Sequence, residues 1–303
     1  MISAPEVEVA AVPNQPQVSI IVPAYNEEQA IAAVLDRIRE AMDASPYPYE
    51  TLVVDDGSRD RTADIVRARP WARLVQHRRN LGAGAALSTG LAEARADILA
   101  ITDSDGTYPV EDIPRLVDHL LTHDHAMVVG ARQREAGTMR WLRTPAKWFI
   151  RQLACYLTQT RIPDLNSGLR VFRREPAQAL RGIYPPTHSW VSTITIGFLS
   201  NQESVAWLPI EYYPRKGRSH FHPIRDTYNY LSLVVRTVMY FNPLRIFLPL
   251  TTVLLAVAGA KLVRDLLTYR SFYVPSITLM LFVTALQIGA LGLLADLIVR
   301  KTK

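Results

Sequence analysis

Two carboxylates one residue apart, Asp103 and Asp105, close the apolar run Ile98-Leu99-Ala100-Ile101 and lead at once into Gly106 and then Pro109. The run reads as a buried strand. A strand that delivers two acids to a turn makes a site for a hard divalent cation, which takes one or two carboxylates plus substrate phosphate oxygens. Asp-x-Asp before a glycine is also ordinary turn chemistry, because Asp favours turns for backbone reasons. The surroundings decide between the two.

Those surroundings alternate. Val18–Val22 closed by Pro23 reads as a strand, followed by a helical pattern from Glu27 through Ile31, Val34, Leu35 and Ile38. Thr51–Val54 is a second strand ending in Asp55-Asp56-Gly57-Ser58, with a helix over 62–68. Ala72–Gln76 is a third, and Asn80-Leu81-Gly82-Ala83-Gly84 opens a helix to about Ala94. After the acid pair come a helix over 110–121 and a strand over 126–129. Such alternation predicts an α/β fold with a doubly wound, mostly parallel sheet. Ligands of these sheets bind beyond the C-terminal ends of the strands. Tyr25, Asp55, Asp56, Asp103, Asp105 and Arg132 all fall just past predicted strand ends.

The order of motifs resembles family 2 glycosyltransferases, which have the GT-A fold. The resemblance rests on Pro23-Ala24-Tyr25-Asn26-Glu27, Asp55-Asp56-Gly57-Ser58-x-Asp60-x-Thr62, Asn80-x-Gly82-x-Gly84 and Asp103-x-Asp105, across roughly 17–220. Gly130-Ala131-Arg132, Asp164–Arg170 and Arg215-Lys216-Gly217-Arg218-Ser219-His220 are similar to the polyprenyl-phosphate sugar transferases, the dolichyl-phosphate mannose synthase group. The processive synthases carry Gln-x-x-Arg-Trp. Gly137 stands in place of that Gln before Arg140-Trp141, which disfavours that branch. Ala83 stands where relatives often have Lys, and Thr107 where many have Gln.

The resemblance implies roles. Pro23, Tyr25, Glu27, Asp55 and Asp56 belong to the nucleotide-sugar site, with Ser104 approaching the ribose or diphosphate and Asp103 beside it. Asp103 and Asp105 are the ligands of Mg²⁺ or Mn²⁺, which stabilises the departing nucleoside diphosphate. The partners implied are a UDP- or GDP-sugar donor and a polyprenyl-phosphate acceptor. A phosphate monoester, with a second pKa of about 6, is already an anionic nucleophile near neutral pH. Arg132, Arg170, Arg215 and Arg218 are candidate cations for it, since the guanidinium fork fits phosphate. Asp164 occupies the position of a proposed base, or else orients Arg170. In-line attack inverts the anomeric centre.

The totals narrow the class. The 303 residues carry 34 Lys+Arg against 28 Asp+Glu, a formal charge of +6 without a long basic run, which argues against nucleic acid. Cys155 is the only cysteine, so no disulfide framework exists. The histidines show no metal-ligand spacing, and His123 and His125 read as a solvated turn. Residues 1–16 lack signal-peptide character and read as a mobile leader before a catalytic domain over 17–222. Asp226–Phe241 gives helix spacing for an interfacial amphipathic helix, assigned to 223–243. Within 244–303, two transmembrane helices are expected at about 246–267 and 272–297, the first only if Lys261, Arg264 and Asp265 are tolerated. The flanking Arg236, Arg245, Arg300, Lys301 and Lys303 place an integral membrane protein with its catalytic domain in the cytoplasm. The oligomeric state, a homo-oligomer included, is left open.

Overall fold

The computed structural model describes residues 15–133, 158–186, 189–213, 239–269 and 274–302, together with 152, 154–156 and 235. Two compact units divide the chain. The first is drawn from Met1–Ala136, Asn166–Val191 and Ser204–Arg218, the second from Gly137–Leu165, Ser192–Glu203 and Ser219–Lys303. Arg215, Arg218, most of the 223–243 stretch and nearly all of the expected leader lie outside the described residues.

The first unit is a seven-stranded sheet of β1 (Val18–Ala24), β2 (Tyr49–Asp55), β3 (Ala72–Gln76), β4 (Ile98–Ile101), β5 (Met127–Arg132), β6 (Arg170–Arg173) and β7 (Val205–Ile210). Spatial order is β3-β2-β1-β4-β6-β5-β7. All neighbours are parallel except β6, which runs against both β4 and β5. The chain winds outward from β1 to β3 and then returns to β1's other side with β4. Their junction is therefore the switch point, where such sheets open a crevice.

β1 is apolar apart from Ser19, whose hydroxyl donates to Glu50, because it is covered on both faces. Val18, Ile20 and Val22 share a core with Ile31, Val34, Leu35 and Ile38 of α1 (Ile31–Asp43). Ile21 points to the other face, where α3 (Ala83–Glu93) approaches so closely that a Cβ on Gly90 would stand 2.3 Å from the Ile21 side chain. β1 also runs one residue past Pro23. Ala24 C=O accepts from Asp56 N–H and Ile21 C=O from Thr102 N–H. By alternation, Pro23 faces the β4 side, where pairing has already ended at Ile21. Its missing N–H breaks no ladder bond. α1 begins at Ile31 rather than at Glu27, whose carbonyl accepts from Ala30 and Ile31.

α2 (Thr62–Arg67), α4 (Ile113–Thr122) and α5 (Arg174–Ala179) complete the sheet's cover. The apolar α6 (Trp190–Ser200) begins in the first unit and continues into the second.

The second unit contains α7 (Leu244–Tyr269) and α8 (Ser276–Thr302), packed on each other. Both are long and apolar enough to cross a membrane. A Cβ on Gly292 would stand 2.5 Å from Phe247 Cβ, so the glycine permits close helix approach. Outward-facing Leu248, Val257, Leu267, Met280, Leu286 and Ile298 are largely exposed, as lipid-facing side chains are. α7 carries Asp265 because Lys261 Nζ lies 2.7 Å from its carboxylate and the Thr278 hydroxyl of α8 donates to it at 2.6 Å. α8 starts at Ser276, behind Pro275, rather than at 272.

Candidate functional site

The parallel strands β1, β2, β4, β5 and β7 end on one edge, and the antiparallel β6 begins there. Tyr25, Asp55, Asp56, Asp103, Asp105 and Arg132 are thereby gathered along it. Asp55 and Arg132 are the last residues of their strands, and the others lie just beyond.

Two loops at this edge are stitched together. Asn26 N–H donates to Ser58 Oγ at 2.9 Å, and Arg59 N–H donates back to Asn26 Oδ1 at 2.8 Å. Glu27 N–H donates to Thr62 Oγ1 and Glu28 N–H to Asp60 Oδ2. Asp60 also accepts from the Thr62 amide and hydroxyl at the start of α2. Beside these loops lies a cleft of about 440 Å³ lined by Tyr25, Gly57, Ser58, Arg59, Gln76, His77, Arg78, Arg79 and Asn80. Tyr25 is 41% exposed into this neighbourhood. Nothing in the motif spacing pointed to Arg59, Arg78 and Arg79.

The two neighbouring acids of β2 divide their work. Asp55 is fully buried, accepting from Ser58 N–H at 3.1 Å and Gln76 Nε2 at 2.8 Å. Asp56 is also buried and accepts from the amides of Leu81 and Gly82 and from His77 Nδ1 at 2.7 Å. The other ring nitrogen of His77, Nε2, lies 2.9 Å from the Thr89 hydroxyl. Gly84 and Ala85 N–H both donate to the Pro186 carbonyl. Gly82, at φ +102°, presses so near Pro186 that a Cβ would stand 2.4 Å from its oxygen. The glycine-rich segment is thus pinned by protein acceptors.

The acid pair is built differently. Asp105 Oδ1 accepts from both the amide and the hydroxyl of buried Thr107, at 3.1 and 2.7 Å. Thr107 thereby orients Asp105. Asp103 is exposed, while Ser104 between them is buried. Both Asp103 carboxylate oxygens lie 3.0 Å from where a Cβ on Gly168 would stand, and so does Tyr108 Cε2. Gly168 N–H donates to the Tyr108 phenol oxygen at 2.7 Å. The Tyr108 ring meets Tyr212 edge to face at 5.2 Å, and the Arg132 guanidinium lies over Tyr212 at 5.3 Å. Burial, and next the Asp103 carboxylate, push the Tyr108 phenol above its ordinary range, while Arg132 pulls it down. Tyr213 N–H donates to Thr107 C=O at 2.9 Å, tying the chain two residues before Arg215 to the acid loop.

Arg170 is placed otherwise. It is fully buried in β6, and its guanidinium donates to the carbonyls of Ser167 and of Val191, the latter at 2.7 Å. Asp164 belongs to the second unit. His119, His123 and His125 cluster with ring centroids 4.1–5.9 Å apart, at the end of β5 opposite Arg132.

Among the described residues no group of three or more His, Cys, Asp or Glu side chains is arranged to hold a metal. The donor set of Asp103 and Asp105, two carboxylates at a solvent-facing strand end, fits a cation whose remaining ligands are water and substrate oxygens.

Residues 19–181 match the family described as Glycosyl transferase family 2, and residues 242–300 match the GtrB C-terminal hairpin. The chain is 30% identical over 221 residues to a dolichyl-phosphate beta-glucosyltransferase of Trichomonas vaginalis, covering 66% of this chain and 65% of that protein. It is 31% identical over 164 residues to a dodecaprenyl-phosphate galacturonate synthase of Rhizobium johnstonii, covering 52% and 48%. The chain thus spans between about half and two thirds of the length of these curated relatives. The fold is that of glucosyl-3-phosphoglycerate synthase from Mycobacterium tuberculosis, solved with Mn²⁺, uridine-diphosphate and glucosyl-3-phosphoglycerate. The TM-score is 0.57 at 24% identity, covering 74% of this chain and 79% of that one. With the family pattern running through more than half of its length, the chain belongs to glycosyl transferase family 2.

Proposed function

We propose that this protein is a membrane-anchored, metal-dependent, inverting glycosyltransferase that moves a sugar from a nucleotide sugar to a polyprenyl phosphate at the cytoplasmic leaflet. The observation that carries the reading is the convergence of the acid pair and Arg132 on one sheet edge, with Tyr108 and Tyr212 between them. The names of the curated relatives, a dolichyl-phosphate beta-glucosyltransferase and a dodecaprenyl-phosphate galacturonate synthase, support the acceptor class.

The base and ribose occupy the cleft at Tyr25, with Pro23, Glu27 and Asp55 around it, and the diphosphate extends toward Ser104. Asp56 serves by holding the glycine-rich segment. Asp103 and Asp105 hold a divalent cation, Mg²⁺ or Mn²⁺, which supplies Lewis-acid stabilisation of the leaving diphosphate. Arg132 holds the acceptor phosphate beside the sugar, joined by Arg215 and Arg218 of the basic segment. The anionic phosphate attacks without a strong base. Arg170 acts from the interior, fixing the Ser167–Gly168 turn against Asp103. The apolar pair α7 and α8 keeps the enzyme where a lipid phosphate resides, and the basic residues flanking it set the orientation.

Membranes containing the full chain, supplied with undecaprenyl or dolichyl phosphate and a panel of radiolabelled UDP- and GDP-sugars, test this directly. One donor should yield label extractable into organic solvent. No lipid-linked label across the panel would overturn the reading.

A further inference from the structure

The contacts of one aromatic residue reach both halves of the site. Tyr108 lies three residues beyond Asp105 and is 2% exposed. Its phenol oxygen is the acceptor for Gly168 N–H. Its Cε2 and both Asp103 oxygens lie 3.0 Å from the same point above Gly168, so carboxylate and ring are within 6.0 Å of each other. On its other side it packs on Tyr212, whose face carries Arg132. A carboxylate on an exposed strand end would otherwise sample several rotamers. Ordered neighbours that restrict a metal ligand are worth about 10–100-fold in metal affinity.

We propose that Tyr108 is a positioning residue: it fixes Asp103 against the Gly168 turn and, through Tyr212, sets the distance between the cation and the acceptor-side Arg132. This rests on reading Asp103 and Asp105 as metal ligands. The phenol does not touch the reacting atoms. Its hydroxyl serves the Asp103 side, and its ring serves the Arg132 side. The two contributions are therefore separable by substitution. Tyr108→Phe keeps the ring on Tyr212 and removes the acceptor for Gly168 N–H. Gly168→Ala keeps the Tyr108 side chain and pushes a methyl against both the Asp103 carboxylate and the edge of the Tyr108 ring from the same turn.

The test measures Mn²⁺ binding by electron paramagnetic resonance on the detergent-solubilised full chain without substrates, alongside steady-state kinetics. Tyr108→Phe should weaken Mn²⁺ about 10-fold or more while the KM for lipid phosphate stays within about twofold, because Arg132 keeps its aromatic support. Tyr108→Leu should weaken Mn²⁺ similarly and raise that KM as well. Mn²⁺ affinity within twofold of the parent in Tyr108→Phe would overturn the proposal, as would a parent chain that binds no Mn²⁺. If Tyr108→Phe fails to fold, Gly168→Ala decides, with weakened Mn²⁺ expected and unchanged affinity overturning. A parent that binds Mn²⁺ but labels no lipid refutes the proposed acceptor and leaves the Mn²⁺ comparison to judge Tyr108.

Discussion

Asp105 and Asp56 are both aspartates at strand ends, yet their surroundings separate them. Asp105 is held by the Thr107 hydroxyl and amide. Asp105→Ala should leave folding and membrane association intact and cut transfer roughly 10³-fold. That corresponds to about 4 kcal/mol of transition-state stabilisation at 1.36 kcal/mol per tenfold. Lipid-extractable label and circular dichroism check the two halves. Asp56→Ala should do the reverse. It strips the acceptor from the Leu81 and Gly82 amides and from His77, costing about 1–3 kcal/mol, read as a lowered unfolding midpoint. In sequence the acid pair stood out only together with its surroundings, because Asp-x-Asp before a glycine is also ordinary turn chemistry. The sequence could not separate Asp55 from Asp56, whose difference lies in amides 25 and 26 residues away. Arg170 was equally opaque, because a guanidinium held by main-chain carbonyls looks in sequence like one awaiting phosphate.

Among elements, the strands through β5 were readable, and β6 and β7 were not. β6 is four residues, Arg-Val-Phe-Arg, and its direction is set only by pairing with β4 and β5. α6 is apolar nearly all round and rich in β-branched residues, so no polar face marks its period. The stitched loops between β1–α1 and β2–α2 make a further prediction. Burial alone would raise the Asp60 pKa, but the Thr62 hydroxyl and the Thr62 and Glu28 amides outweigh it and hold the carboxyl below its usual range. The unfolded chain then takes up this proton first on acidification, so the contribution is present above the ordinary carboxylate range and lost as pH falls through it. Unfolding midpoints taken from about pH 5 to pH 3 should fall less steeply in Asp60→Asn than in the parent.

For the molecule as a whole, hydropathy announced the apolar pair, and the charges in the first member obscured its length. α7 reaches Tyr269 because Asp265 is matched by Lys261 on its own helix and Thr278 on the next. Asp265→Ala should lower the thermal midpoint of the detergent-solubilised protein more than Asp265→Asn, which keeps an acceptor for Thr278. Equal midpoints would remove the link between the helices as a source of stability.

The pinned glycine-rich segment has one more implication. Loops of this kind often lend their N–H groups to an anion, but here those of Leu81 and Gly82 answer to Asp56 and those of Gly84 and Ala85 to Pro186. On the proposed function, the donor's pyrophosphate would find no help from these amides. Sequestering divalent ions with EDTA should therefore silence the enzyme outright rather than slow it, and replenishing Mn²⁺ or Mg²⁺ should bring turnover back.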